Sequence, residues 1–192
     1  MSDKPLGNPA AVGLGAFGAT TLLLQLHNVG WVSTGPVFWL AMFFGGLAQF
    51  IAGFQEFKTG NNFGFAAFTT YGAFWLALGG IFLNSSFKFY TISTHDVGWF
   101  LVVFTIMTGI YLIGAMRQSS ALSVVFLTLF LGFIFLDIAH FVDSDSANKF
   151  FTRVAAVDLI ICAASAWYLM AHVALGSAGI KIPVGKPWTQ AK

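Results

Sequence analysis

The stretch PLGNPAAVGLGAFGATTLLLQLHNVGWVSTGPVFWLAMFFGGLAQFIAGFQ, residues 5–55, contains no Asp, Glu, Lys or Arg. A helix that crosses a bilayer needs about 20 predominantly apolar residues, so this run is long enough for two spans. Trp31-Val-Ser-Thr-Gly-Pro36 interrupts it near the middle. Glycine and proline break helices, and proline biases the residue before it away from the helical region. The stretch therefore predicts one helix over residues 10–30 and a second over residues 37–55.

Working outward, polar segments at 56–62, 84–96, 117–120 and 143–149 separate further apolar runs. These predict helices over residues 63–83, 97–116, 121–140 and 153–175, giving an all-α integral membrane protein with a bundle of six transmembrane helices. Composition agrees. Of 192 residues, 57% are hydrophobic and 8% charged, with mean hydropathy +0.80. A soluble domain carries about 25% charged residues, so lipid is the solvent this surface suits. The start, residues 1–7, lacks the basic run of a signal peptide, and the apolar segment behind it is too long for one. The organisation read from this is a cytoplasmic N-terminal segment 1–9, a transmembrane domain 10–175 and a cytoplasmic tail 176–192.

Basic residues set the orientation. With the N-terminus inside, inner segments hold Lys4, Lys58, Arg117, Lys181, Lys186 and Lys192, and outer segments hold Lys88, Lys149 and Arg153. This follows the positive-inside rule. Trp31, Trp75, Trp99 and Trp188 fall near the predicted ends, where indoles favour the interface. The net charge of +2 and the lack of a basic cluster exclude a nucleic-acid surface. The single cysteine, Cys162, cannot form an internal disulfide and has no metal-binding spacing, so it reads as a packing residue. Neither a metal nor a cofactor is implied, and no nucleophile–base constellation or phosphate loop is visible. The connections are too short to hold a catalytic domain, so function must reside in the bundle or its oligomer.

Small residues are dense in the first, second and sixth helices: Gly13, Gly15, Ala16, Gly18 and Ala19; Gly45, Gly46, Ala48, Ala52 and Gly53; Ala163, Ala164, Ser165 and Ala166. In lipid they permit close helix packing, and together they also suit a narrow pore. Phe17, Thr21, Gln25 and Asn28, spaced four, four and three apart, share one face of helix one. A polar stripe at membrane depth faces protein or water, serving interhelical hydrogen bonds or a path for a polar solute. Gln49 and Glu56 lie two turns apart on helix two, with Glu56 at its inner end. Asp137 and Asp158 enter helices five and six about one turn from the outer boundary, as carboxylates that reach the interface or pair with Arg153. His27 sits just off the polar stripe. Glu56, Asp137 and His27 are the candidate proton sites.

Asn8-Pro9 is a helix-start signal: asparagine caps, and proline fits the first helical position. Free N–H groups there attract anions, although the cap alone explains the pair. Gly60-Asn-Asn-Phe-Gly64 is a similar signal before helix three.

Several stretches carry a resemblance. Asn8-Pro-Ala-Ala-Val-Gly-Leu14 resembles the NPAPLGL signature of the acetate uptake transporter family, which includes the succinate–acetate permeases. Leu24-Gln-Leu-His-Asn-Val-Gly30, Gly45-Gly-Leu-Ala-Gln-Phe-Ile-Ala-Gly53 continuing to Glu56, Thr59-Gly-Asn-Asn-Phe-Gly64, Phe68-Thr-Thr-Tyr-Gly-Ala-Phe-Trp75 and the tail Ile182-Pro-Val-Gly185 are also similar. The sharp matches cover the first three helices and the tail. Ala11-Val12 departs from the usual Pro-Leu, and Asp137 and His140 are unusual.

The resemblance implies a homohexamer with a solute path through each protomer, moving acetate and, in some members, succinate across the cell membrane. It implies an aromatic and aliphatic constriction, carried over to Phe17 and Tyr71, with Leu129 as its third member from the register of helix five. Expected polar contacts are Asn8 at the helix-one start and Thr21, Gln25, Asn28, Gln49, Asn61 and Thr70. The expectation is a small-carboxylate transporter, either a proton-coupled symporter or an anion channel. A structural or sensory membrane subunit without transport, and less readily a membrane-embedded enzyme, are the rivals.

Overall fold

A computed structural model describes residues 7–189, and every regular element among them is helical. Six helices are long and apolar enough to cross a membrane: α1 Ala10–Asn28, α2 Thr34–Thr59, α3 Asn62–Phe87, α4 Thr94–Ala115, α5 Ser120–Phe141 and α6 Asp145–Gly176. The shortest has 19 residues, a rise of about 28 Å against a hydrocarbon core of about 30 Å. The molecule is thus a multi-pass membrane protein. Lys4 and Lys192, used above for orientation, lie outside the described residues.

Most predicted boundaries move outward, each for a local reason. Helix α2 begins at Thr34, with Gly35 and Pro36 in its first turn, where proline sacrifices no intrahelical N–H bond. It runs through to Thr59, so Glu56 is helical, and Gly60 ends it at φ 79°, a left-handed conformation glycine adopts freely. Helix α3 continues to Phe87 because Asn84, expected in the connection, hydrogen-bonds the Tyr90 backbone and ties the turn down. Ser93 and Asp96 form a reciprocal capping box that starts α4 at Thr94. The largest correction is α6, which starts at Asp145 rather than at residue 153. Ser144 caps it and Asp145 stands in its first turn, so the charged segment is the helix start and not a loop. Asp158 consequently lies more than three turns inside α6, not one turn from its end.

The helices close a ring. α1 packs on α6, α6 on α5, α5 on α4, and α2 on both α1 and α3. The α2–α3 contact is tight enough that side chains would not fit. A Cβ on Gly72 would lie 2.7 Å from the Phe50 backbone nitrogen, and one on Gly53 would lie 2.7 Å from the Thr69 backbone nitrogen. Between α3 and α4 the backbones stand apart, and large rings fill the seam: Phe74 lies against Phe100 and Phe104, and Phe63 against Tyr111. Helix α2 contains a π-helical stretch, Phe43–Ala48, which shifts the register of everything after it. The tail does not hang free. Val184 and Lys186 carbonyls accept from the Ala121 N–H and the Ser120 hydroxyl, and the Met116 carbonyl accepts the Trp188 N–H.

Candidate functional site

Two cavities lie along the axis of the ring. The larger, about 310 Å³, opens at the end where α1, α3 and α5 begin. Ala10, Leu14, Gln49, Asn61, Ser119 and His172 are among its walls, and Val184 of the tail stands at its rim. The smaller, about 30 Å³, lies deeper among Thr21, Gln25, Phe74, Trp75, Phe133 and Leu159. Three residues line both: Phe17, Tyr71 and Leu129. They form the neck between the chambers.

The neck follows from helix arithmetic. Phe17, Tyr71 and Leu129 stand seven to nine residues into α1, α3 and α5, hence about 10–14 Å from the same end of the bundle. On α1, Leu14, Phe17, Thr21 and Gln25 face the axis at spacings of three and four. On α5 the same spacing runs through Ser119, Leu122, Val125, Leu129 and Phe133. The rings of Phe17 and Tyr71 are 5.8 Å apart, and both side chains are buried.

The polar residues divide. Gln49 and Asn61 line the larger chamber, the vestibule, and Thr21 and Gln25 line the deeper one. The Thr21 hydroxyl and Gln49 Oε1 are buried without hydrogen-bond partners. Asn61 is placed from two sides: its Oδ1 accepts the Gly64 N–H at 3.0 Å, and its Nδ2 donates to Glu56 Oε2 at 2.7 Å. Glu56, only 2% exposed, therefore stands behind Asn61 rather than in the vestibule.

Other expected residues lie elsewhere. Thr70 is one residue, hence 100°, around α3 from Tyr71, and its hydroxyl meets the Tyr111 hydroxyl at 2.9 Å in the α3–α4 seam. Asn28 donates to Gln25 Oε1 at 2.9 Å and lines neither chamber. The cap is displaced by one residue: Pro9 holds the cap position of α1, and Asn8 Oδ1 accepts the Ala10 N–H at 2.9 Å. Asn8 lines a surface cleft with Gln55, Lys58 and Thr59 instead of the vestibule. His27 Nδ1 donates to the Val32 carbonyl at 2.8 Å, fixing the turn after α1. Asp137 accepts from Thr105 at 2.7 Å, between α4 and α5. None of Glu56, Asp137 and His27 lines either chamber. Trp75, expected at the interface, is 2% exposed in the middle of α3. Its indole Nε1 has no partner, and the ring walls the deeper chamber.

Sequence reading missed that Trp75 and His172 are chamber walls and, although it marked the tail stretch Ile182–Gly185, that Val184 lines the vestibule. The signal for Trp75 was its spacing of four from Tyr71, which puts both on one face. For His172 and Val184 no local signal exists, because the return of the tail brings them to the vestibule. His172 Nδ1 donates to the Ile182 carbonyl at 2.6 Å. Among the described residues no cluster of His, Cys, Asp or Glu has the makings of a metal site.

A ring of six membrane-crossing helices around two adjoining chambers defines a polytopic membrane protein. The chain belongs to the GPR1/FUN34/yaaH family, whose model matches residues 1–183. It is 36% identical over 171 residues to the succinate-acetate/proton symporter SatP of Escherichia coli K12, covering 88% of this chain and 89% of the relative. It is 32% identical over 183 residues to acetate permease A of Emericella nidulans, covering 88% of this chain and 61% of the longer relative. The solved structure of the bacterial acetate channel SatP matches with TM-score 0.87 at 36% identity, over 94% of this chain and 100% of that one. These relatives are named as a symporter, a permease and a channel, not as enzymes.

Proposed function

We propose that each copy of this chain conducts acetate and similarly small carboxylates across a cell membrane, through the vestibule, the neck and the deeper chamber. The observation that carries the reading is the sharing of Phe17, Tyr71 and Leu129 by two otherwise separate cavities on one axis. A neck of two rings and a leucine offers a carboxylate no charge partner, so hydrated ions are excluded, whereas a methyl group passes between apolar walls. Donors stand on both sides. Asn61, Gln118 and Ser119 line the vestibule, and Thr21, Gln25 and the Trp75 indole line the chamber beyond. The relatives named for acetate and for succinate support the substrate class.

The geometry favours channel-like conduction, because no carboxylate lines either chamber. Proton coupling is the second reading, favoured by Glu56 holding Asn61 at the vestibule wall and by the name of the E. coli relative. Both termini are assigned to the cytoplasm on the distribution of basic residues, which makes the vestibule the inner mouth. Assembly as a homohexamer belongs to the same proposal.

Uptake of labelled acetate into proteoliposomes, with and without an inward proton gradient, is the deciding experiment. Equilibration regardless of the gradient supports a channel. Accumulation above equilibrium only with the gradient establishes coupling, and Glu56→Gln then abolishes the accumulation. No flux beyond empty liposomes overturns the transport reading in favour of a structural or sensory subunit.

A further inference from the structure

Helix α4 contributes no residue to either chamber, yet one of its side chains is bonded to the neck. The Tyr71 hydroxyl lies 2.8 Å from Thr108 Oγ1. Thr108 donates its only hydroxyl proton to the Phe104 carbonyl at 2.6 Å. The direction of the Tyr71 bond is thereby fixed: the phenol donates and Thr108 accepts. Both side chains are buried, Tyr71 at 3% and Thr108 at 0% exposure. Among the described residues this is the one side-chain hydrogen bond between α4 and a wall of the passage. The other α4 side chains bonded across a seam, Thr105 and Tyr111, reach Asp137, Thr70 and the Ala66 carbonyl, which line neither chamber.

Two consequences follow. A phenol whose proton is committed to Thr108 has none to offer a passing carboxylate, so at the neck Tyr71 acts as an apolar ring. The position of that ring is set from α4. The α3–α4 seam is filled by large rings rather than by close backbone contact, and the Tyr71 ring borders open space in both chambers, so its bond to Thr108 is the directional contact that holds it. We propose that Thr108 is the positioning residue of the neck: its bond to Tyr71 holds the ring across the axis and thereby sets the upper size of carboxylate admitted. The inference rests on the transport reading and deepens it, assigning size selection to a residue outside the passage.

The test compares fluxes of acetate and butyrate in proteoliposomes for the wild-type protein, Thr108→Val, Thr108→Ser, Tyr71→Phe and the Tyr71→Phe/Thr108→Val double variant. Valine keeps the shape of threonine and removes the acceptor, whereas serine keeps it. The expected result is a rise in the butyrate-to-acetate ratio of roughly two- to ten-fold in Thr108→Val, the weight of one neutral hydrogen bond. Tyr71→Phe removes the same bond from the other side and gives the same rise. The double variant rises no further, and Thr108→Ser restores the wild-type ratio. Where Thr108→Val does not fold, Tyr71→Phe against Thr108→Ser decides. An unchanged ratio in both Thr108→Val and Tyr71→Phe overturns the inference. So does a fall in acetate flux confined to Tyr71→Phe, which would make the phenol a ligand of the solute. Failure of the wild-type protein to move acetate overturns the transport reading instead, so the two failures are distinct.

Discussion

The two chambers share walls from α1, α3, α5 and α6, with α2 adding Gln49 to the vestibule alone, and differ about ten-fold in size: about 310 Å³ for the vestibule and about 30 Å³ for the chamber beyond the neck. The vestibule takes its rim from helix starts, the α4–α5 turn and the returning tail, so it is wide and supplied with polar groups. The deeper chamber is walled by mid-helix residues, mostly aromatic and aliphatic, and holds little more than one water. Two of its polar atoms, the Thr21 hydroxyl and the Trp75 Nε1, have no protein partner. Unpaired buried polar atoms cost stability unless water or a solute satisfies them. In the proposed transport reading, the wide chamber serves access and the narrow one contact with a desolvated solute.

The largest effect expected from this difference comes from placing one substitution in both regions. Leu129→Trp fills the neck, and an added barrier of only ~1.4 kcal/mol is already a ten-fold loss of flux. Leu122→Trp, on the vestibule wall, has room to be accommodated. Acetate flux is expected to fall at least about ten-fold in the first and about two-fold or less in the second; equal losses would break the comparison. Next in size, Asn61→Ala removes the cap of α3 and leaves Glu56 Oε2 without its closest donor. A loss of about 1–2 kcal/mol, read as a lower melting temperature in detergent, is expected. A larger loss would mean that Glu56 holds more of the vestibule wall than Asn61 alone. The smallest effect is Thr21→Val in the deeper chamber. Removing an unpartnered hydroxyl leaves stability unchanged or raises it by under ~1 kcal/mol, while acetate flux drops. A clear loss of stability would mean the hydroxyl is bonded within the protein.

Much of this was legible because of periodicity. Phe17 and Thr21 fall on one stripe of α1, and a helix turns 100° per residue whatever surrounds it. Leu129 came from the family resemblance through the register of α5, and it lines both chambers. Thr70 shows the limit of the same rule. It adjoins Tyr71 and carries a suitable hydroxyl, yet one residue of rotation takes it into the α3–α4 seam. Asn8 shows another limit: its bond to the Ala10 N–H is local and readable, but which cavity the helix start faces is not. Trp75 was misplaced for the opposite reason. Tryptophan is common at membrane interfaces, and that tendency was given more weight than the mid-helix position of Trp75 in the stretch 63–83.

By itself the sequence determined that this chain crosses the membrane six times, since burying charge-poor segments in lipid is a property of each segment alone. It also determined which residues share a face of each helix. Only the tertiary structure decided which faces meet. Phe17, Tyr71 and Leu129 converge because three helices start at the same end and close a ring. Glu56, Asp137 and His27 turn from the axis because partners on neighbouring segments hold them there. The Tyr71–Thr108 bond joins residues distant in the chain. Such long-range contacts depend on how helices pack, and in lipid that is governed by the fit of small and large residues between helices rather than by hydropathy.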